Sequence, residues 1–164
     1  MKKLYLVRHA KSSWEDPTLH DMDRSLQGRG VNDAYNTASW LLQQGEVPEQ
    51  IYSSPATRAL HTALIFARVL NYPFVKIKID ERIYEASQSQ LLEVVRTMND
   101  KYNSIMLFGH NPTITHFVNR VIEHTIENVP TTGVACLSFD VESWADVNTR
   151  AELVFFDYPK RRKA

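Results

Sequence analysis

Three short stretches of this chain place phosphate-binding and nucleophilic side chains directly after apolar runs. LYLV leads into Arg8-His9-Ala10-Lys11-Ser12. QIYS is followed by Ser54-Pro55-Ala56-Thr57-Arg58, and SIMLFG by His110-Asn111-Pro112-Thr113. A guanidinium fork donates two parallel hydrogen bonds and so matches phosphate oxygens. A neutral imidazole carries a lone pair near pH 7 and can act as a nucleophile. One histidine at a strand end is ordinarily a hydrogen-bonded polar residue. Two histidines and two arginines at three separate ends, with Lys11 nearby, point to phosphoryl chemistry.

The Ser-Pro and Asn-Pro pairs read as helix starts, with the proline at the first helical position. Free N–H groups and the positive dipole end there favour an anion. Arg58 opposes that dipole at a cost of roughly 0.3–1 kcal/mol. Helical side chains lean toward the amino end, which aims Arg58 back over the strand edge. A locally unfavourable charge so aimed marks a ligand site.

The elements that must hold these residues alternate along the chain. KLYLV (3–7), QIYS (50–53), VKIKI (75–79) and SIMLFG (104–109) are β-branched or aromatic and too short for helices. Between them run four helical stripes: Val31, Ala34, Ala38, Leu41 and Leu42; Leu60, Ala63, Leu64, Ala67 and Leu70; Leu91, Leu92, Val95 and Met98; Ile114, Phe117, Val118, Val121 and Ile122. The late runs 134–141 and 151–158 read as an antiparallel pair. The expected fold is α/β: a three-layer α/β/α sandwich over residues 1–164, one domain, with a mostly parallel sheet and helices on both faces. In such sheets ligands sit at the carboxyl ends of the strands.

Composition narrows the partners. Lys plus Arg equals Asp plus Glu at 19 each, so net charge offers no argument for nucleic acid or a membrane. The basic tail KRRKA (160–164) reads as a solvated terminus. The single cysteine, Cys136, excludes an internal disulfide and suits a reducing cytoplasm. No cysteine or histidine spacing is that of a zinc site, and no apolar run is long enough to span a bilayer.

Taken together, the residues resemble the histidine phosphatase superfamily. Leu6-Val7-Arg8-His9-Ala10 is similar to its Arg-His signature. Ser53 to Ala59 with Thr62-Ala63 is similar to its second motif, and Gly109-His110-Asn111 to its third. Within it, RHAKSSW (8–14), Asp23-Arg24-Ser25-Leu26 followed by Gly30, and Ile83-Tyr84-Glu85-Ala86 resemble the small SixA-like phosphohistidine phosphatases. The resemblance implies a phosphoglycerate mutase-like fold with His9 as nucleophile and Arg8 and Arg58 on the phosphoryl oxygens. It implies His110 as a donor to the phosphoryl group, and no metal or other cofactor. Arg24 is a further candidate contact, or an ion-pair partner of Asp21 or Asp23. Lys11, Ser12 and Asn111 are candidate substrate contacts at the rim.

Many relatives protonate the leaving oxygen with a carboxylate. Glu81 and Glu85 lie in the corresponding segment, and both also suit exposed loops. A protonated phosphoramidate has a labile P–N bond and needs a dedicated acid less than an ester does. The leading expectation is therefore a metal-independent phosphohistidine phosphatase, acting on a phosphorylated protein. The alternatives are a phosphatase of small phosphate esters, a mutase-like enzyme, and an inactive phospho-ligand binding module.

Overall fold

The computed structural model describes residues 1–148 and 150–163; Ala164, the end of the basic tail, lies outside them. β1 (Lys2–Arg8) is the strand on which the rest is assembled. Leu4 and Leu6 enter one apolar cluster, and Tyr5 and Val7 the other. Alternation of side chains across a strand requires this split. β4 (Ser104–Gly109) repeats it, with Ile105 and Leu107 on the first side and Met106 and Phe108 on the second. A strand covered on both faces needs apolar residues at every position, which explains the unbroken runs LYLV and IMLF.

With β2 (Gln50–Ser53), β3 (Lys78–Ile79), β5 (Val134–Phe139) and β6 (Glu152–Asp157), these strands form one sheet in the order β3-β2-β4-β1-β5-β6. β1, β4, β2 and β3 pair in parallel, whereas β5 pairs antiparallel with β1 and with β6. α1 (Gly28–Gln43) and α2 (Thr57–Val69) cover one face through Ala34, Ala38, Leu41, Ala63 and Phe66. α3 (Gln88–Arg96) and α4 (Thr113–Val121) cover the other through Leu91, Leu92, Val95, Phe117 and Val118. A reciprocal capping box between Ser87 and Gln90 starts α3. Among the described residues no helix is long and apolar enough to cross a membrane.

Four local expectations are corrected. Only Lys78 and Ile79 of the 75–79 run pair with β2; Phe74–Lys76 is a 3-10 turn, and Val75 is 94% exposed. The run lies at the sheet edge, where a short strand has one neighbour and one open side. Pro55 and Pro112 precede the first helical residues Thr57 and Thr113 instead of occupying them. Leu42 and Leu64 are exposed; in α2 the inward positions include Arg58 and Thr62, which an apolar stripe cannot register. The basic tail is anchored as α5 (Pro159–Lys163). Arg161 and Arg162 both pair with the fully buried Asp157, and Arg162 also bonds Thr37. A buried carboxylate needs such countercharges.

Strand register brings the predicted residues together. Arg8 pairs with Gly109, and Ser53 with Phe108. His9 N–H then donates to Gly109 O (3.1 Å), and Ser54 N–H to Phe108 O (3.0 Å). Three adjacent parallel strands thus end level, with His9, Ser54 and His110 each one residue beyond. The chain leaving β1 is held against α1 at Gly30, where a Cβ would lie 2.3 Å from Lys11 O. Only glycine permits that approach.

Candidate active site

At the carboxyl edge of β1, β2 and β4 is a pocket of about 440 Å³ lined by Arg8, His9, Arg24, Arg58 and His110, with Lys11, Ser12 and Asn111 also on its walls. Asn111 uses its amide within the fold. Its Oδ1 accepts from Thr115 N–H and Oγ1, and its Nδ2 donates to Asn128 Oδ1 and Val129 O. It is a wall residue with its polar atoms committed. Lys11 is exposed, and Ser12 Oγ accepts from Arg24 Nη1 at 2.8 Å.

His9 is 8% exposed, and its Nδ1 lies 2.7 Å from Ala10 O. A carbonyl only accepts, so Nδ1 carries the proton and Nε2 the lone pair. Burial is the main cause that lowers the His9 pKa to about 4; Arg58, Arg8 and Arg24 add to it, and the Ala10 bond opposes it. His9 is therefore neutral at pH 7. Thr62 Oγ1 accepts from Ala10 N–H (3.0 Å) and donates to Arg58 O (2.7 Å), joining the His9 loop to the start of α2.

The His110 ring lies 5.4 Å from that of His9, centre to centre. Its Nε2 is 2.7 Å from Ser54 Oγ, which also accepts from Ala56 N–H. A hydroxyl can accept twice or donate once, so this contact suits either tautomer of the ring, whose Nδ1 is buried without a protein partner. Burial first, then His9 and Arg58, lower the His110 pKa to about 3.

The two pocket arginines of the motifs are held differently. Arg8 Nη1 donates to Val129 O at 3.1 Å, while its buried Nε has no partner. Arg58 donates to Asp21 O (2.7 Å) and Asp21 Oδ2 (3.0 Å), and its Nε is also buried and unpartnered. Arg24 joins both expectations made for it: it lines the pocket and pairs with Asp21 at 3.0 Å. Its guanidinium also stacks 3.4 Å from the centre of the Trp14 ring.

Asp21, expected only as an ion-pair partner of Arg24, also holds Arg58 and Tyr84, a role that sequence reasoning missed. It accepts from Arg58, Arg24 and, at 2.6 Å, from Tyr84 Oη. The Tyr84 bond first, and then the two arginines, hold its carboxyl well below the usual carboxylate range. Asp21 is thus an ionised brace for two guanidinium groups and not a proton donor. Asp21→Ala is expected to cost about 10–100-fold in kcat/KM by letting Arg58 and Arg24 drift. A loss carried by KM with kcat unchanged would instead show that the brace serves ground-state binding only.

The two candidate acids are not in the pocket wall. Glu81 is exposed at the start of a 3-10 turn. Glu85 is exposed, has a left-handed φ of 57°, and lines a neighbouring depression of about 600 Å³. That depression shares Arg58, His110 and Asn111 with the pocket. Another, of about 400 Å³, shares Arg8, Lys11 and Thr131. The three depressions adjoin one another, and the histidine pair lines the one that shares residues with both others.

Comparison with known proteins bears on the family and the fold. A family model described as the histidine phosphatase superfamily (branch 1) matches residues 4–91. An uncharacterized protein of Mycobacterium tuberculosis is 30% identical over 165 residues, covering 94% of this chain and 100% of that protein. The crystal structure of a SixA protein from Agrobacterium tumefaciens aligns with a TM-score of 0.83 and 28% identity, over 96% of this chain and 98% of the other. The protein histidine phosphatase SixA complexed with tungstate aligns with a TM-score of 0.84 and 18% identity, over 98% and 99% of the two chains, a likeness of fold.

Proposed function

The chain belongs to the histidine phosphatase superfamily as a SixA-like phosphatase, and we propose that it hydrolyses phosphohistidine on a protein through a covalent intermediate on His9. The observation that carries the reading is the neutral His9 ring. Its Nδ1–H is committed to Ala10 O, and its Nε2 lone pair stands in a pocket lined by Arg8, Arg58 and His110. In the first step Nε2 attacks phosphorus in line, and the P–N bond to the substrate imidazole breaks. The departing ring takes a proton from solvent. Arg8, Arg58 and His110 hold the three oxygens, where charge accumulates in the transition state. Water then attacks phosphorus, the P–Nε2 bond breaks, and the lone pair returns to His9.

Three features favour phosphohistidine over an alkyl ester. No carboxylate lines the pocket among the described residues, and Asp21 beside it is held ionised. An imidazole leaving group protonated by solvent needs no such acid. The pocket adjoins two further surface depressions, room that suits a phosphorylated side chain on a larger partner. The SixA proteins that share this fold bear the same substrate class in their names. Competing kinetics with phosphoramidate, a phosphohistidine peptide and sugar phosphates test the reading. A higher kcat/KM for the phosphoramidate and phosphohistidine substrates is expected, and faster turnover of the sugar phosphates would contradict it.

The acid limb gives a second check. Protonation of Nε2 removes the nucleophile, so kcat/KM, corrected for substrate ionisation, is expected to stay level to about pH 5 and fall through about pH 4. An inflection near 6.5, the ordinary histidine value, would contradict this. Stability moves in the same window. Unfolded histidines take up a proton near pH 6.5, whereas His9 and His110 stay neutral to about 4 and 3. The unfolded state therefore binds more protons, and Tm falls as pH drops from about 6.5 toward 4.

A further inference from the structure

We propose that the depression beside Arg8, walled by Lys11, Arg29, Lys160 and Tyr158, is a docking groove for an acidic segment of the phosphorylated protein. This rests on the phosphohistidine reading and names the side from which the partner is held. The groove adjoins the phosphoryl pocket, sharing Arg8, Lys11 and Thr131 with its lining. Its cations come from three separate elements: the loop after β1, the first turn of α1 and the start of α5.

Lys11, Arg29 and Lys160 are exposed, and no ion-pair partner stands beside any of them among the described residues. The one carboxylate in the wall, Asp33, has its side chain 10% exposed and faces Lys163 at 3.8 Å. The chain as a whole has no net charge, so this grouping is a local excess of positive charge. Arg29 repeats the signal that singled out Arg58: a cation in the first turn of a helix, against its dipole and with no acidic residue there. Lys160 is held in place because Arg161 and Arg162 fasten α5 to buried Asp157. The depression that Asp21 and Glu85 line lacks this excess.

The groove favours a polypeptide over a nucleic acid. Its wall has one aromatic ring, Tyr158, beside Pro130 and Pro159, and so no ladder for stacking bases. An acidic strand laid along it would gain steering and register from these charges.

The test uses phosphohistidine peptides of equal length flanked by glutamate or by glutamine. The unchanged protein is expected to prefer the glutamate peptide by about ten-fold or more at low salt, with the preference shrinking to about two-fold near 0.5 M NaCl. Arg29→Glu with Lys160→Glu should abolish the preference, while phosphoramidate, too small to reach the groove, is turned over within about two-fold of the original rate. The milder pair Arg29→Gln and Lys160→Gln should reduce the preference to an intermediate value. Equal turnover of the two peptides by the unchanged protein would overturn the groove alone. Failure to hydrolyse either peptide would overturn the substrate reading. Stronger inhibition by a single-stranded RNA than by polyglutamate of equal charge would assign the groove to nucleic acid and overturn the proposal.

Discussion

His9→Ala is expected to lower kcat/KM by about 10⁴-fold or more and to leave no acid-labile phosphoenzyme. The size of the effect follows from the proposed role: Arg8, Arg58 and His110 would remain to bind phosphate, but no lone pair would remain to attack phosphorus. The variant should fold. The imidazole is buried and burial disfavours its charged form, so its removal eases the loss of stability between about pH 6.5 and 4. A His9→Ala protein with a normal Tm that retains a tenth of the activity would contradict the mechanism.

Arg58→Ala is the second large effect, a loss on the order of 10³-fold, mostly in kcat. Arg58 is held by two bonds to Asp21, and its buried Nε has no protein partner. On this reading that N–H is reserved for a phosphoryl oxygen as charge spreads over it. Arg58→Lys should recover little, because an ammonium cannot hold Asp21 and a phosphate oxygen in one planar fork. Asp21 keeps Tyr84 and Arg24 as partners in either variant, so the fold should persist. Recovery to near-normal kcat by lysine would mean that Arg58 acts as a simple point charge.

Arg8, His9, Arg58 and His110 were legible in the sequence because each follows an apolar run within a few residues. Strand register then does the rest: three parallel strands ending level carry them into one pocket. The bracing role of Asp21 was not legible. The residue lies in a short 3-10 turn without periodicity, and its partners Arg58 and Tyr84 are 37 and 63 residues away. The nearby Arg24 signalled an ion pair but not that one carboxylate would brace two guanidinium groups. The β-branched run 75–79 read as a strand over its whole length, yet composition does not report whether a neighbour exists on both sides. The tail KRRK looked solvated because the buried charge that anchors it, Asp157, shows only once β6 is packed.

The most direct test of the central claim is to trap the first turnover. The protein is mixed with phosphoramidate, quenched in alkali, where phosphohistidine persists, and mapped by peptide mass spectrometry and phosphorus NMR. The expected result is one phosphoryl group on His9, attached at Nε2 because Nδ1–H is held by Ala10 O. Phosphate on His110, on a serine or on a carboxylate, or full turnover with His9 never labelled, would contradict it.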